Sequence, residues 1–510
     1  MILLGLRVDD HDSNLCLYKD NEIKYLKTER VKKIKHHAYN NNWEWILDLQ
    51  KYFNIDVKSI DKVAIVADPL KHNIPQYTDF HHKSYDAIDN SIQVEHHLAH
   101  ALSGFMYGDT EYQIVIDGVG EIFYNNKQTS GTVWSVFKNY KLVNRNTSNF
   151  NIIGQNNIQI NNSIGVEYEN IADFLDIKAN HPNDLSGKLM SLQAYGQIDK
   201  NYLNFLLSNT HDLKQDLSLA CHPNNWFDYI GSEVVGRMKK LDFAATLHEY
   251  LYLQIEKIFE QHVDKNSKIL YSGGCALNVC WNTRLKEKFP NLIIVPHCAD
   301  DGLSFGALQF LLKQYHLSGN TQYCQADERP EKNVSLETIK KTANYLKHGN
   351  IVAWYQGNGE VGPRALGNRS ILMDPTIIDG KEIINSKVKH REDYRPFGAS
   401  ILQEFQKDYF DIEFENPHML YIGKFKHSMP PVSHIDNTCR FQSVDTGNKD
   451  FYKLIKEFHK LTNIPMLLNT SLNVNGKPIA GSKRDALEIL YNTDVDVLVY
   501  GDEIIEKETK

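Results

Sequence analysis

The stretch Tyr112-Gln113-Ile114-Val115-Ile116-Asp117-Gly118-Val119-Gly120-Glu121 decides the fold. Gln113 to Ile116 reads as a strand, and Asp117-Gly118 ends it by delivering a carboxylate into a turn. Gly131 to Phe137 reads as the returning strand. The pattern nearly repeats an earlier one. Ile2 to Val8 is an apolar strand running into Arg7-Val8-Asp9-Asp10-His11-Asp12-Ser13-Asn14, and Leu15 to Tyr18 resumes a strand. A polar loop between two such strands can hold a phosphate or a metal. A third strand, Lys268 to Tyr271, leads into Ser272-Gly273-Gly274-Cys275-Ala276-Leu277-Asn278. Glycines placed directly after a strand let the backbone approach a nucleotide, and a following helix N-terminus favours its phosphates.

Two Asp-bearing strand turns and a later Ser-Gly-Gly turn match the duplicated actin/sugar-kinase type of ATPase fold, an α/β architecture with nucleotide between two similar halves. The chain has 510 residues, too many for one core when a domain takes about 150. Its 42% hydrophobic and 24% charged residues are those of an ordinary globular protein. The net charge of −8 counts against a general nucleic-acid coat. The seven cysteines are scattered without a C-x-x-C pair, which excludes a zinc knuckle or disulfide framework and points to reduced thiols in the cytoplasm. No apolar run reaches a membrane span, so no membrane partner is expected. The polar run Gln314 to Asn333 reads as a linker, dividing the chain into domains 1–320 and 334–510.

Val94-Glu95-His96-His97-Leu98-Ala99-His100-Ala101 carries the first chemistry. On a helix, His96 and His100 share a face and can grip one ion, whereas His97 points about 100° away. A strand from Leu292 ends in Ala299-Asp300-Asp301-Gly302. His96, His100, Asp117 and one aspartate of that pair would make a mixed N/O site suited to Fe, Mn or Zn. The plainer readings are a hydrogen-bonded histidine cluster and a helix-capping Asp301. Lys188, in Asp184-Leu185-Ser186-Gly187-Lys188, could reach a phosphate, although a lone lysine is more often a surface charge.

The second chemical region is Gly359-Glu360-Val361-Gly362-Pro363-Arg364-Ala365-Leu366-Gly367-Asn368-Arg369-Ser370, followed by Lys387-Val388-Lys389-His390-Arg391-Glu392-Asp393-Tyr394-Arg395-Pro396-Phe397. Arg364 and Arg369 sit on a Gly/Pro-constrained loop, where arginine forks can bind phosphate or carboxylate oxygens and lysine adds a point charge. Surface ion pairs with Glu360, Glu392 and Asp393 are the plainer alternative. Met466 to Ser471 reads as a buried strand ending in amide and hydroxyl groups suited to a small polar acyl group.

Glu95 to Ala101, Ser272 to Asn278, Gly362 to Ser370, Arg395-Pro396-Phe397 and Asn469-Thr470-Ser471 occur in one order, and together they resemble the O-carbamoyltransferase family of nodulation-factor and antibiotic biosynthesis. The resemblance spans essentially the whole chain. It implies an actin-like N-terminal domain and a C-terminal domain similar to threonylcarbamoyl-adenylate synthase, that is, YrdC-like. The C-terminal domain would use ATP, with Mg2+, and carbamoyl phosphate to make carbamoyl adenylate. The N-terminal domain would pass the carbamoyl group to a hydroxyl of a small molecule such as a sugar, nucleoside or natural product. The implied metal, Fe2+ or another divalent ion, falls on His96, His100, Asp117 and Asp300, the last preferred as the first Asp of its turn. His11, beside Asp12, matches the acceptor-activating base. Lys188, Gly273, Gly274 and Asn278 are the nucleotide candidates. Arg364, Arg369, Lys389 and Arg395, with Asn469 and Ser471, match the cluster for carbamoyl phosphate. Gly357 to Val361 and Asn14 differ from the family pattern and bear on acceptor choice more than on chemistry. Trp43, Trp45, Tyr77, Phe80 and Tyr85 could line an acceptor pocket or simply pack. A hydroxymethylated pyrimidine in nucleotide or DNA, or a tRNA threonylcarbamoyl-type reaction, stays open as an alternative, and so does a homodimer.

Overall fold

Leu3, Leu4 and Leu6 near the start of the chain, and Ile114, Val115 and Ile116 further on, are all fully buried. Runs without a polar face belong at the centre of sheets covered on both sides. The computed structural model describes residues 1–8, 11–39, 43–67, 91–104, 107–125, 128–153, 157–160, 163–209, 239–317, 324–427 and 429–507. In it, β1 (Ile2–Arg7), β2 (Asn14–Lys19), β3 (Glu22–Lys27), β4 (Lys62–Val66) and β5 (Ser91–Gln93) form a sheet of order β3-β2-β1-β4-β5. β1 runs antiparallel to β2 and parallel to β4, which is parallel to β5.

The second sheet repeats this plan. It contains β6 (Tyr112–Ile116), β7 (Ile122–Asn125), β8 (Gln128–Lys138), β9 (Lys141–Ile153), β10 (Asn157–Ile160), β11 (Ile269–Ser272) and β12 (Leu292–Ile293). Its order is β10-β9-β8-β6-β11-β12, with β7 paired to β8. The central β6 is antiparallel to β8 and parallel to β11, and β11 is parallel to β12. Antiparallel on one side and parallel on the other, in the same order twice, is the duplicated actin-like topology. Both Asp-bearing loops leave the carboxyl ends of the two central strands, where open α/β sheets place ligands.

The chain divides into two compact units: Met1–Ile23 with Ala38–Asn320, and Lys24–His37 with Thr321–Lys510. The sequence division at 320 and 334 therefore needs two corrections. Lys24–His37 folds with the second unit, and much of the presumed linker is structure. The helix Leu303–Tyr315 runs into it, Gln325 bridges Tyr25 and Gly359, and the Asp327 side chain is fully buried. Within it the buried Asp327 side chain pairs with Arg369, while Gln314, Glu328, Arg329, Glu331 and Lys332 around it are exposed.

The second unit holds a mixed sheet of β13 (Val352–Tyr355), β14 (Arg369–Met373), β15 (Gly398–Leu402), β16 (Ile422–Lys424), β17 (Thr438–Val444), β18 (Met466–Ser471), β19 (Val497–Tyr500) and β20 (Glu503–Glu506). The order is β16-β17-β15-β18-β14-β13-β19-β20. Side chains alternate across it. Val352 and Trp354 join the cluster with Ile339, Leu346, Leu454 and Phe458, while Ala353 and Tyr355 join one with Ile384, Ala486 and Leu490. Among the described residues no helix is long and apolar enough to cross a membrane, and none of the six described cysteines is in a disulfide.

In the first unit, the helix Leu303–Tyr315 packs on β1 and on the helix His96–Leu102. A Cβ on Gly306 would lie 1.8 Å from the Ala99 carbonyl oxygen, so the two helices meet backbone to backbone. Helix propensity favours alanine over glycine by about 1 kcal/mol, but here overpacking, at about 1–3 kcal/mol or more, outweighs it. Gly306→Ala should therefore lower the thermal unfolding midpoint of the metal-free protein. An unchanged or raised midpoint would show that this crossing is not tight.

Candidate metal centre and anion site

His96 and His100 stand one turn apart on the helix His96–Leu102, with their Nε2 atoms 3.1 Å apart. Asp117, at the end of β6, brings Oδ2 to 3.1 Å from His96 Nε2 and 3.0 Å from His100 Nε2. Asp300, in the turn before the helix Leu303–Tyr315, brings Oδ1 to 3.5 and 3.4 Å from the same nitrogens. Four ligand atoms, two imidazole nitrogens and two carboxylate oxygens, lie within 4.8 Å of one another. That donor set fits a first-row divalent ion. Asp301, the alternative, is not one of the four, and buried His97 instead contacts Ser135 Oγ at 2.9 Å through Nδ1.

The supporting groups explain the loop sequences. Asp117 Oδ1 accepts from the backbone N–H groups of Gly118 and Gly274, at 2.8 and 3.0 Å. Gly273 has φ +95°, and a Cβ there would lie 2.2 Å from the Ile116 carbonyl oxygen. Only glycine lets the β11 turn come this close. Asn14, read from sequence as a departure that bears on acceptor choice, has a structural task. Its Nδ2 donates to the Asp300 carbonyl at 3.0 Å and its Oδ1 accepts from Ser304 N–H at 3.0 Å. Such second-layer contacts hold ligands in place. Arg7 lies 3.5 Å and His11 Nε2 3.9 Å from Asp300 Oδ2, while His11 Nδ1 is 3.0 Å from Asp12.

Burial works against charged imidazoles, yet the Asp300 charge and the Asp117 hydrogen bond push His96 up to about 10. His100 is raised too, with burial opposed by its bonds to Asp117 and Asp300. Burial would raise the Asp117 carboxyl, but hydrogen bonds from His100 and His96 hold it below the ordinary range. Burial is likewise overcome at His11 by Asp12 and then Asp300, which raise it.

In the second unit, Lys389 Nζ reaches the Ser471 carbonyl at 2.6 Å and the Asn473 carbonyl and Oδ1 at 2.8 and 2.7 Å. Asn469 Nδ2 donates to Ser400 Oγ at 2.8 Å and the Ala365 carbonyl at 3.2 Å, leaving its buried Oδ1 without a hydrogen-bond partner. Burial, and then Arg391 and Arg395, push the Lys389 ammonium well below its usual value. Burial and Arg395 bring Arg391 down to about 9. Burial, then Arg364, Arg391 and Arg395, lower Arg440 as well. These cations sense one another, with Glu392 beside Arg395 at 3.5 Å.

Arg391 and Arg440 were not picked out as ligands from sequence. Arg391 was visible beside Lys389, but Arg440 sits alone in β17 with no motif around it. Three expected residues are used differently. Arg369 is not an open fork: it pairs with Asp327 at 3.0 Å, donates to the carbonyls of Gln356, Gly357, Asn368 and Glu328, and lies over the Tyr355 ring at 3.6 Å. Lys188 donates to the Lys178 carbonyl and anchors the preceding loop. Asn278 caps the helix Val279–Lys288, accepting from Trp281 N–H at 3.3 Å. Trp45 is core and Trp43 is exposed, while Tyr77, Phe80 and Tyr85 lie outside the described residues.

A candidate histidine–carboxylate metal site thus lies on the actin-like unit, and the α/β unit carries a cluster of cationic side chains. Residues 69–308 match the family described as "Carbamoyltransferase N-terminus" and residues 343–507 the one described as "Carbamoyltransferase C-terminus". An uncharacterized protein of Methanocaldococcus jannaschii is 30% identical over 461 residues, covering 79% of this chain and 72% of its own. The nodulation protein NolNO of Sinorhizobium fredii is 32% identical over 300 residues, 52% of this chain and 44% of that one. The 3'-hydroxymethylcephem-O-carbamoyltransferase of Streptomyces clavuligerus is 29% identical over 335 residues, 62% of this chain and 64% of that one. The chain belongs to the carbamoyltransferase family, and it is an enzyme.

Histidine ligands must be neutral to bind an ion, so metal and protons compete at this site. Because His96 is raised to about 10 in the metal-free protein, adding Zn2+ or Fe2+ near neutral pH should release at least one proton per ion. Affinity should weaken as pH falls. Proton release measured in weak buffer checks this, and His96→Ala should lose most of the release and the affinity while the second unit stays folded. Unchanged binding in His96→Ala would leave the histidines a structural cluster.

Proposed function

We propose that this O-carbamoyltransferase works in two steps, with the second unit acting as a YrdC-like domain that makes carbamoyl adenylate from carbamoyl phosphate and ATP, and the first transferring the carbamoyl group to a hydroxyl of a small molecule. Atom balance fixes the first step. Water cleaves carbamoyl phosphate to carbamate and inorganic phosphate, and a carbamate oxygen then attacks the α-phosphorus of ATP, expelling pyrophosphate. In the second step the acceptor oxygen attacks the carbamoyl carbon, AMP leaves, and the hydroxyl proton goes to a base.

The observation that carries this reading is the cationic cluster of Arg364, Lys389, Arg391, Arg395 and Arg440, with Glu392 as its close carboxylate. So many like charges held together raise one another's cost until an anion arrives, and a small phosphorylated dianion is suited to them. Asn469 Oδ1 would accept from the carbamoyl NH2, the one donor group of that substrate. In the first unit, His11 Nδ1 is held by Asp12, which leaves Nε2 to take the acceptor proton. The backbone at Gly273 and Gly274, on the turn after β11, would face the nucleotide. A divalent ion held by His96, His100, Asp117 and Asp300, iron(II) or a similar metal, would supply Lewis-acid stabilisation of phosphate charge as the carbamoyl–phosphate bond breaks. The hydroxymethyl group in the name of the cephem relative supports a primary alcohol as acceptor.

The test is direct. Incubated with ATP and carbamoyl phosphate, the protein should release pyrophosphate and form carbamoyl adenylate, and neither should appear without carbamoyl phosphate. No product would remove the reading. Arg440→Ala and Arg364→Ala should each cut adenylate formation by about two orders of magnitude, the scale of losing charge-assisted contacts to a phosphate. Full activity in either variant would take that arginine out of the site.

A further inference from the structure

Arg364 projects from a loop whose fixed points are buried charges. Asp327 Oδ1 accepts from Gly359 N–H at 3.1 Å and from Arg369 at 3.0 Å. Fully buried Glu360 accepts from the N–H groups of Leu366, Asn368 and Arg369 at 2.7, 2.7 and 3.0 Å. The remaining anchor comes from near the start of the chain. Arg30 lies in the helix Thr28–Lys32, within the segment that folds with the second unit, and its side chain is 1% exposed. It donates to the Gly362 carbonyl at 3.1 Å, across 332 positions of sequence, and lies 3.9 Å from Asp327 Oδ2.

That carbonyl is a singular handle. The Gly362–Pro363 peptide has no N–H, because proline carries no amide hydrogen, so its carbonyl is the one hydrogen-bonding group by which the peptide plane can be held. Gly362 has φ +91°, a conformation that glycine adopts without steric cost. Arg364 follows directly after that plane.

We propose that Arg30 is a positioning residue for the anion-binding loop: by fixing the Gly362 carbonyl it aims Arg364 at the phosphorylated substrate, so that the site of the second unit is completed by the Lys24–His37 segment. This rests on the reading of Arg364 as a carbamoyl phosphate ligand.

The test uses the full-length protein and compares native enzyme with Arg30→Met and Arg30→Lys in the pyrophosphate assay, with an unfolding midpoint for each. Arg30→Met leaves Asp327 paired to Arg369 but frees the Gly362 carbonyl. Its KM for carbamoyl phosphate should rise about tenfold, while the KM for ATP stays within about twofold. Arg30→Lys keeps the charge but lacks a fork that spans both partners, and should rise about threefold. If Arg30→Met does not fold, the lysine variant carries the test by that same split between substrates. A folded variant with an unchanged KM for carbamoyl phosphate would overturn the proposal. So would an equal loss toward both substrates, the mark of a merely structural role. A native enzyme that releases no pyrophosphate would sink the adenylate reading and this inference with it, an outcome distinct from an active native enzyme indifferent to Arg30.

Discussion

The two oxygens of Asp117 do different work, and the first unit is organised around that division. Oδ1 takes the backbone N–H groups of Gly118 and Gly274, tying the end of β6 to the turn after β11. Oδ2 faces His96 and His100 on a separate helix. A buried carboxylate is costly unless its lone pairs are filled, and here two strand turns and one helix must meet for that to happen. Asp300 is divided in the same way, with Oδ1 toward the histidines and Oδ2 toward Arg7 and His11. The backbone-to-backbone crossing at Gly306 brings the helix that follows Asp300 against the helix that carries the histidines. Geometry, more than residue type alone, turns these four side chains into one donor set.

The second unit separates two uses of arginine that look alike in sequence. Arg369 and Arg30 are spent on Asp327 and on backbone carbonyls, and their charge is balanced in place. Arg364, Arg391, Arg395 and Arg440 lower or feel one another, with Glu392 as the nearby carboxylate. Breaking a buried pair costs about 3–5 kcal/mol, so the first group fixes the loop. The second group is held by the fold at a cost that an anion would relieve. Rigidity in Gly-Pro-Arg-Ala-Leu-Gly-Asn-Arg is therefore produced by its last arginine and by residues outside the run.

What was legible in the sequence followed from local periodicity. The apolar runs at Ile2 and Gln113, each ending in an Asp-bearing turn, signalled the duplicated sheets, and the four-residue spacing of His96 and His100 signalled a shared helical face. What was not legible depended on partners distant in the chain. Nothing near Arg369 announces Asp327, so its fork read as a ligand, and nothing near Lys188 marks the Lys178 carbonyl as its partner. Arg440 is a lone charge in a strand, which sequence patterns treat as surface. The run from Gln314 looked like a linker because most of its described polar residues are exposed, and nothing local distinguishes Asp327, which pairs with buried Arg369, from those solvated neighbours.

The two sites answer the problem of buried charge in opposite ways, and this bears on how each receives its ligand. At the candidate metal site two carboxylates face two imidazoles whose proton affinity is raised. Protonated imidazoles balance those carboxylates, and so does one divalent cation with both imidazoles neutral. Exchanging protons for the ion limits the change in local charge, so the cluster can be assembled before the metal arrives. The cationic cluster has no such exchange available. Burial and its arginine neighbours lower the proton affinity of Lys389, whose Nζ donates to the carbonyls of Ser471 and Asn473. A dianion entering there would offset the like charges that the fold holds together. Ion binding and proton loss are thus coupled in the first unit, whereas in the second the anion itself relieves the repulsion among the cations.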